Sequence, residues 1–574
     1  MFRCVLCLCV LGILISVLCP AASGAATQPN IILVTVDSAR ADRMGFLGYH
    51  GGLTPHLDDL ARQSIVFERA YAQAPLTVVS SATILSGTYP QTNQASELGT
   101  PLPGTLPYLP DLLRARGYRT AAFVGSAALD PRDGMAPGFD RGFDVFDAPI
   151  QNSFRVGGGC GAKLPGDQVA ARAIKWLSGN GGRPFFLWIH LSDADASCRT
   201  SHDRSSYDHG VASADAALGK LVAELRMRKL FEDSLMVIVA DHGESLGAHG
   251  EDSHGIFLYD ETIHVPLLVK MPQEQLAGKR VKGRVRLLDI APTVLETAGV
   301  SIPSQMQGQS LVRIAKTNPD ADQSAYARSD FSQEAFGWSA LESWRAGKFL
   351  YIRAPQAELY DLVADPGAGH NLAQTSKATL AALAAQLEAF DSHFGDLRGK
   401  SATEGLSSSE MQKLASLGYV GLQKTASASN AAVTGTDPKD EIATANRVLN
   451  ALASISEGKP DRAIAVLEQA VAAAPNMYLA QYALGAALAE KQRYAQAIEH
   501  LHKAIELRPG SARAQYEMGA SLVKTGDFKT AAAHLELAVV RLPEFREAHL
   551  LLAQCYDHLG QTKQAQVEKQ KATR

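Results

Sequence analysis

Three apolar runs in this chain end on a carboxylate: NIILVTVD closes at Asp37, PFFLWIHLSD at Asp193 and SLMVIVAD at Asp241. The last is followed directly by His242, and the stretch DHGESLGAHGEDSHG adds His249 and His254 a few residues later. Carboxylates mixed with imidazoles form the donor set of a divalent metal site, with zinc favoured once histidine joins and manganese, magnesium or calcium as alternatives. A metal so held acidifies a nearby hydroxyl, and APLTVVSSATILSG offers one. Thr77 stands where a loop with Pro75 turns into an apolar helical stretch, and a helix N-terminus favours an anion through its free N–H groups and dipole. The chemistry this set supports is attack on a phosphorus or sulfur centre. Taken singly, each strand-end Asp, and Thr77 too, could be no more than a helix cap. Taken together they make a site.

Such residues converge only if the fold brings the strand ends to one edge. Near-continuous apolar runs read as strands buried on both faces, and open α/β sheets collect ligands outside the carboxyl ends of such strands. From about Pro29 to Gly421 strand-like runs alternate with helical stretches, which predicts an α/β domain with a mostly parallel central sheet over residues 26–422. KTASASNAAVTGT, rich in Ala, Ser and Thr and without periodicity, reads as a linker over 423–437. From 438 to 574 the sequence becomes all-helical, so the 574 residues divide as roughly 100–200 residues per domain would suggest.

The helical tail repeats itself every 34 residues. Ala463, Ala497, Ala531 and Ala565 keep that step, as do Ala470, Ala504, Ala538 and Ala572, Pro475, Pro509 and Pro543, Gly485 and Gly519, and Leu467, Leu501 and Leu535. A fixed period with small residues at set places marks helix–turn–helix units whose helices approach closely. This tail resembles the tetratricopeptide repeat family, and the resemblance implies a concave surface for a protein or peptide partner, or a packing module.

Composition narrows the function classes. With 55 Lys+Arg against 59 Asp+Glu, the net charge of -4 gives no basic footprint, so nucleic acid is not expected as a partner. The opening segment has one basic residue, Arg3, an apolar run from Cys4 to Leu18, and small residues at Ser23, Gly24 and Ala25. It reads as a cleaved secretory signal over residues 1–25 and places the mature protein outside the cell or in the periplasm, with an uncleaved membrane anchor as the alternative. Outside that segment stand Cys160, Cys198 and Cys555; Cys160 and Cys198 could pair, but spacing alone does not fix the connectivity.

The larger region resembles the sulfatase branch of the alkaline phosphatase superfamily. The matching pieces are VTVDSARADRMGFLGY, TPHLDDLARQSIVFERAYAQAPLTVVSSATILSG, PFFLWIHLSD, ADHGESLGAHGEDSHGIFLYDETIHVPLLV, LLDIAPTVLETAGVSIPSQMQGQSL and AELYDLVADPGAGHNLA, in family order over most of residues 29–420. The resemblance implies the family's sandwich fold and a set of roles. Asp37 falls on its first metal aspartate, Asp241 and His242 on its late metal pair, and Thr77 on its nucleophile. His254 falls where sulfatases place a lysine and two-metal phosphoesterases a histidine, and Asp193 on a further second-metal ligand.

Three departures shape the expected reaction. Sulfatases carry Cys or Ser at the nucleophile, oxidised to an aldehyde, with Pro two and Arg four residues on; here those places hold Thr77, Val79 and Ser81. Oxidising a threonine's secondary alcohol would give a ketone. Asp37-Ser38 replaces consecutive aspartates, which removes a hard ligand from a calcium site. Asp195 stands where relatives with a DPH pattern carry histidine, so Asp193, Asp195 and His254 would hold the second metal, with manganese or magnesium favoured there. The expectation is a metal-dependent hydrolase or transferase of phosphate esters that works through a phosphothreonine. A sulfuric ester hydrolase and a catalytically degraded interaction scaffold are the alternatives.

Overall fold

The computed structural model describes residues 28–573 apart from 133–135, 150–162, 180–181, 196–202, 318, 395–405, 418 and 420–434. The expected signal segment, Cys160, Cys198 and most of the linker lie outside the described residues. Strands β1 (Asn30–Val36), β2 (Ile65–Tyr71), β3 (Arg119–Val124), β4 (Val145–Asp147), β5 (Phe185–Leu191), β6 (Ser234–Ala240), β7 (His264–Lys270) and β8 (Arg280–Arg286) form one sheet, in the order β4-β3-β5-β1-β6-β7-β2-β8. From β4 across to β6 every pairing is parallel; β7 runs antiparallel to both of its neighbours, and β2 pairs with β8 in parallel. The sheet is therefore mostly parallel, as the apolar runs require: β5 and β6 are buried at every position, and β1 at all but its first.

Because β1 lies between β5 and β6, with Val36 level with Leu191 on one side and Ala240 on the other, three strands end together. This register carries Asp37, Ser192–Asp195 and Asp241 to the same edge.

A second sheet, β9 (Ala325–Ser329), β10 (Leu341–Ala346), β11 (Phe349–Arg353) and β12 (Glu358–Asp361), is antiparallel in the order β12-β11-β10-β9. The helix Lys377–Phe394 packs on it through Phe390, which stacks on Tyr326 and meets Tyr89 edge-on.

After Asp437 the chain is helical: Pro438–Ser456, Pro460–Ala473, Tyr478–Glu490, Tyr494–Leu507, Ala512–Thr525, Phe528–Arg541, Arg546–His558 and Thr562–Lys571. The periodic glycines are explained by contact. A Cβ added to Gly485 would sit 2.7 Å from Leu501 Cγ, and one added to Gly519 would sit 2.6 Å from Leu535 Cγ, so only glycine lets the paired helices close. No described helix is long and apolar enough to cross a membrane.

Candidate active site

At the shared strand edge the described residues form two groups of converging metal-ligand atoms. Asp37, Asp241 and His242 make the first, and Asp195, Glu244 and His254 the second; within each group the donor atoms lie within 4.8 Å of one another.

The first group sits on the ends of adjacent strands and is closed to solvent, Asp37 being 1% exposed and Asp241 and His242 0%. Ser38, directly after Asp37, takes a left-handed backbone (φ 59°), uncommon for a residue with a Cβ. That turn aims its N–H at Asp241 Oδ1 (3.3 Å), while its hydroxyl donates to Asp37 Oδ1 (3.1 Å) and its carbonyl accepts from Tyr207 (2.9 Å). His190 supports Asp37 from β5, its Nε2 lying 3.3 Å from Asp37 Oδ2 and its Nδ1 2.8 Å from the Thr35 hydroxyl, which also accepts from the Trp188 indole.

The tautomer of His242 follows from its neighbours. Its Nδ1 lies 2.9 Å from the Gly243 carbonyl, which only accepts, so Nδ1 carries the proton and Nε2 presents a lone pair. That lone pair faces Thr77 Oγ1 at 3.1 Å, and Asp37 Oδ1 lies 3.4 Å from the same oxygen.

Thr77 opens the helix Thr77–Ser86 but does not cap it: Leu76 is the capping residue and has no polar side chain to close the N-terminus. The hydroxyl points into the site instead. Beside it Glu97 accepts the Val78 N–H at 2.5 Å, and desolvation pushes that carboxyl up to about 7. Ser81, one turn further, is fully buried, and its hydroxyl has no hydrogen-bond partner.

The electrostatics test whether a cation fits. Burial, and then the charge of Asp37, push the Asp241 carboxyl well above its ordinary value, and its Oδ2 has no hydrogen-bond partner. Burial and Asp195 push the Asp37 carboxyl the same way, but His190 and then His242 hold it below the usual carboxylate range. Burial, and then the charge of His254, hold the His242 imidazole low, which keeps it neutral and able to ligate. A buried carboxylate pair with an orphaned oxygen and an imidazole lone pair is a donor set that a divalent ion would complete.

The second group is built from loops. Asp195 follows β5 by four residues and pairs with Lys163 at 2.5 Å. Glu244, fully buried, lies with both carboxylate oxygens 3.3 Å from His254 Nδ1, and the His254 ring sits 4.3 Å from that of His242. Burial opposes a charge on His254, but Glu244 first and then Asp195 and Asp37 push it up to about 10.

The expected residues thus come together with one exception. Asp193 lies in neither group; it accepts the Gly166 N–H at 3.1 Å, at the start of the helix Gly166–Ser178. Glu244 stands in the second group beside Asp195 and His254. His249 lies apart, stacked on Tyr259 at 3.6 Å. Sequence reasoning missed Glu244, His190 and Lys163. The signals were a carboxylate three residues beyond Asp241 and a histidine inside an otherwise apolar strand; Lys163, beside a segment without periodicity, offered none.

Comparison with known families agrees with this geometry. The Sulfatase family matches residues 29–300, the C-terminal family of N-sulphoglucosamine sulphohydrolase matches 252–392, and Tetratricopeptide repeat families match 449–512, 488–541 and 522–570. The chain carries a sulfatase-family domain. It is 25% identical over 396 residues to an ulvan-active sulfatase of Formosa agariphila, a match covering 60% of this chain and 77% of that one. It is 24% identical over 425 residues to a Delta 4,5-hexuronate-2-O-sulfatase of Bacteroides thetaiotaomicron, covering 63% and 88%. Its fold is shared with the phosphonate monoester hydrolase of Agrobacterium radiobacter, with a TM-score of 0.54 at 21% identity over 66% of this chain and 98% of that one. The protein is thus an ester hydrolase of the alkaline phosphatase superfamily, with tetratricopeptide repeats at its C-terminal end.

Proposed function

We propose that this protein hydrolyses phosphoric esters, or transfers their phosphoryl group to an alcohol, with Thr77 as nucleophile. The observation that carries the reading is the position of Thr77 Oγ1, at the head of a helix and 3.1 Å from His242 Nε2 and 3.4 Å from Asp37 Oδ1, two donors of the first group. A threonine there cannot yield the aldehyde of sulfate-ester chemistry, but it is a competent alcohol nucleophile.

Asp37, Asp241 and His242 would hold one divalent ion, zinc by their mixed donors, and Asp195 and Glu244 a second, joined by His254 once a cation there displaces its proton; two carboxylates favour manganese or magnesium. Bound ions supply Lewis acidity and neutralise charge on the phosphoryl oxygens. The protein does the rest. The helix dipole at the Thr77 end favours the anion. The hydroxyl proton of Thr77 passes to Asp37 Oδ1, 3.4 Å away, a carboxylate oxygen with a lone pair beyond the one that would face the ion, and Oγ1 attacks phosphorus in line as the bond to the leaving alkoxide breaks. Water then cleaves the phosphothreonine and returns the hydroxyl. The N-terminal segment supports action outside the cytoplasm, and the repeats support a protein or peptide partner.

Sulfuric ester hydrolysis is the second reading, favoured by the names of the curated relatives. One aryl leaving group presented as phosphodiester, phosphomonoester, phosphonate and sulfate ester, with zinc or manganese supplied, separates the two. Phosphorus-ester turnover should fall on the order of 10⁶-fold in Thr77→Ala, the scale of losing a nucleophile. Turnover of the sulfate ester alone, or a Thr77→Ala variant as fast as the parent, would sink the proposal.

A further inference from the structure

The loop that carries the second group is not self-supporting. Between Asp241 and His254 its only regular element is a short 3-10 turn at Ala248–Gly250, and Leu246 (φ 53°) and His249 (φ 53°) sit in left-handed conformations that cost energy for residues with a Cβ. Something must hold such a loop in one shape.

One holder belongs to the repeat domain. From the helix Pro438–Ser456, Asn446 Nδ2 donates to the Gly250 carbonyl (2.7 Å), and its Oδ1 accepts the Asp252 N–H (3.2 Å). Asn450 Nδ2 donates to Asp252 Oδ2 at 3.1 Å. The two asparagines are one helical turn apart and so share a face; between them they bracket the backbone two residues ahead of His254. Ile442, a turn earlier, lies under Gly250, and Lys439 at the start of the same stripe reaches Glu358 of β12 at 2.5 Å.

A second contact reaches the nucleophile arm. Arg508, after the helix Tyr494–Leu507, pairs with Glu334 at 3.4 Å, and Glu334 accepts the Ser96 hydroxyl at 2.5 Å, next to the Glu97 that caps Val78. Phe331, from the same short helix as Glu334, packs on Leu76 and Val79 around Thr77.

We infer that the repeat domain is a positioning element of the active site, in which Asn446 and Asn450 hold the Gly250–His254 segment so that His254 meets Asp195 and Glu244. The inference rests on the reading of that group as a cation site. It makes the repeats part of the catalytic unit and not only a tether. Asn450 also lines a cleft of about 580 Å³ between the first two repeat helices and Trp338, so a ligand seated there meets the side chain that fixes Asp252.

The test uses the full chain, with manganese titrated by calorimetry and amide hydrogen exchange followed over residues 244–257. In Asn446→Ala/Asn450→Ala the second cation should bind about tenfold more weakly, the lower end of what losing an outer support of a metal ligand costs. The first should bind as in the parent, and exchange over the loop should speed up by a similar factor. Because the double alanine variant could misfold, the pair is also exchanged: Asn450→Asp alone, which sets two carboxylates together, should loosen the loop, and adding Asp252→Asn should restore it, as a coupled pair requires. Parent-like exchange in the folded double variant, or an exchanged pair no tighter than Asn450→Asp alone, overturns the inference. A parent chain that binds only one cation would count against the two-cation reading, and loop exchange would then decide the positioning role alone.

Discussion

The two domains treat buried histidine in opposite ways. In the repeats the half-buried His500 and the buried His534 each have a local partner 19 residues away: His500 Nδ1 meets Gln481 at 2.8 Å, and His534 Nδ1 meets Gln515 at 2.7 Å. One repeat later the same two places hold the pair in reverse, with His549 donor to Glu568. At the catalytic edge, His190, His242 and His254 face carboxylates that converge on one place, and Asp241 keeps an oxygen with no hydrogen-bond partner. The repeat domain uses these histidines to close its own structure. The catalytic domain leaves a carboxylate oxygen over, and an unsatisfied buried acceptor beside a hydroxyl is what a reaction centre needs.

That difference is tested most severely by removing the leftover charge. Asp241→Asn should cut turnover on the order of a thousandfold, as losing a preorganised electrostatic contact does. In chelator the same variant should melt higher than the parent by about 2–4 °C per kcal/mol relieved, because a buried carboxylate whose pKa burial and Asp37 have raised is a cost when it ionises. Adding zinc should stabilise the parent and not the variant. A variant that melts lower than the parent in chelator would show that Asp241 is already compensated.

The second group is built from loops and should be weaker and more tunable. Glu244→Gln should lower manganese affinity about 10–100-fold at that group with little change at the first, read by two-site calorimetry. Equal losses at both groups would mean that they act as one.

Much of this was legible in the sequence. The apolar runs that became β1, β5 and β6 needed burial on both faces, and once they lie adjacent, Asp37 and Asp241 must share an edge. The 34-residue period fixed which helices touch, since Gly485 and Gly519 fit nothing larger. Glu244 and Lys163 were harder. They stand in or beside irregular loops, where no periodicity says which way a side chain turns, and the left-handed Leu246 and His249 redirect the chain without a glycine to announce it. The asparagines that grip Asp252 were not legible either, because a contact across domains leaves no local signal.

In the repeats the comparison predicts a pH signature. Burial holds His534 down to about 4, below its ordinary 6.5, so the unfolded chain binds a proton that the folded one refuses. Stability should therefore be complete above pH 6.5 and fall as pH drops toward 4, with about 2 kcal/mol lost by pH 5. His534→Gln, which removes the titration, should flatten that acid limb in a melting series from pH 7 to 4. An unchanged slope would place the acid sensitivity elsewhere.

The smallest effect concerns Asp193, which separates holding a metal from holding the fold. Asp193 and Asp195 are two residues apart after the same strand, yet one carboxylate joins Glu244 and His254 while the other accepts the Gly166 N–H. A side chain that satisfies a helix's first amide contributes about 0.5–2 kcal/mol. Asp193→Ala should therefore lower the melting temperature modestly and leave both cation affinities as they were, whereas Asp195→Ala should do the reverse. A loss of cation affinity in Asp193→Ala that its small destabilisation cannot explain would move this carboxylate back among the ligands and make the second group four-membered.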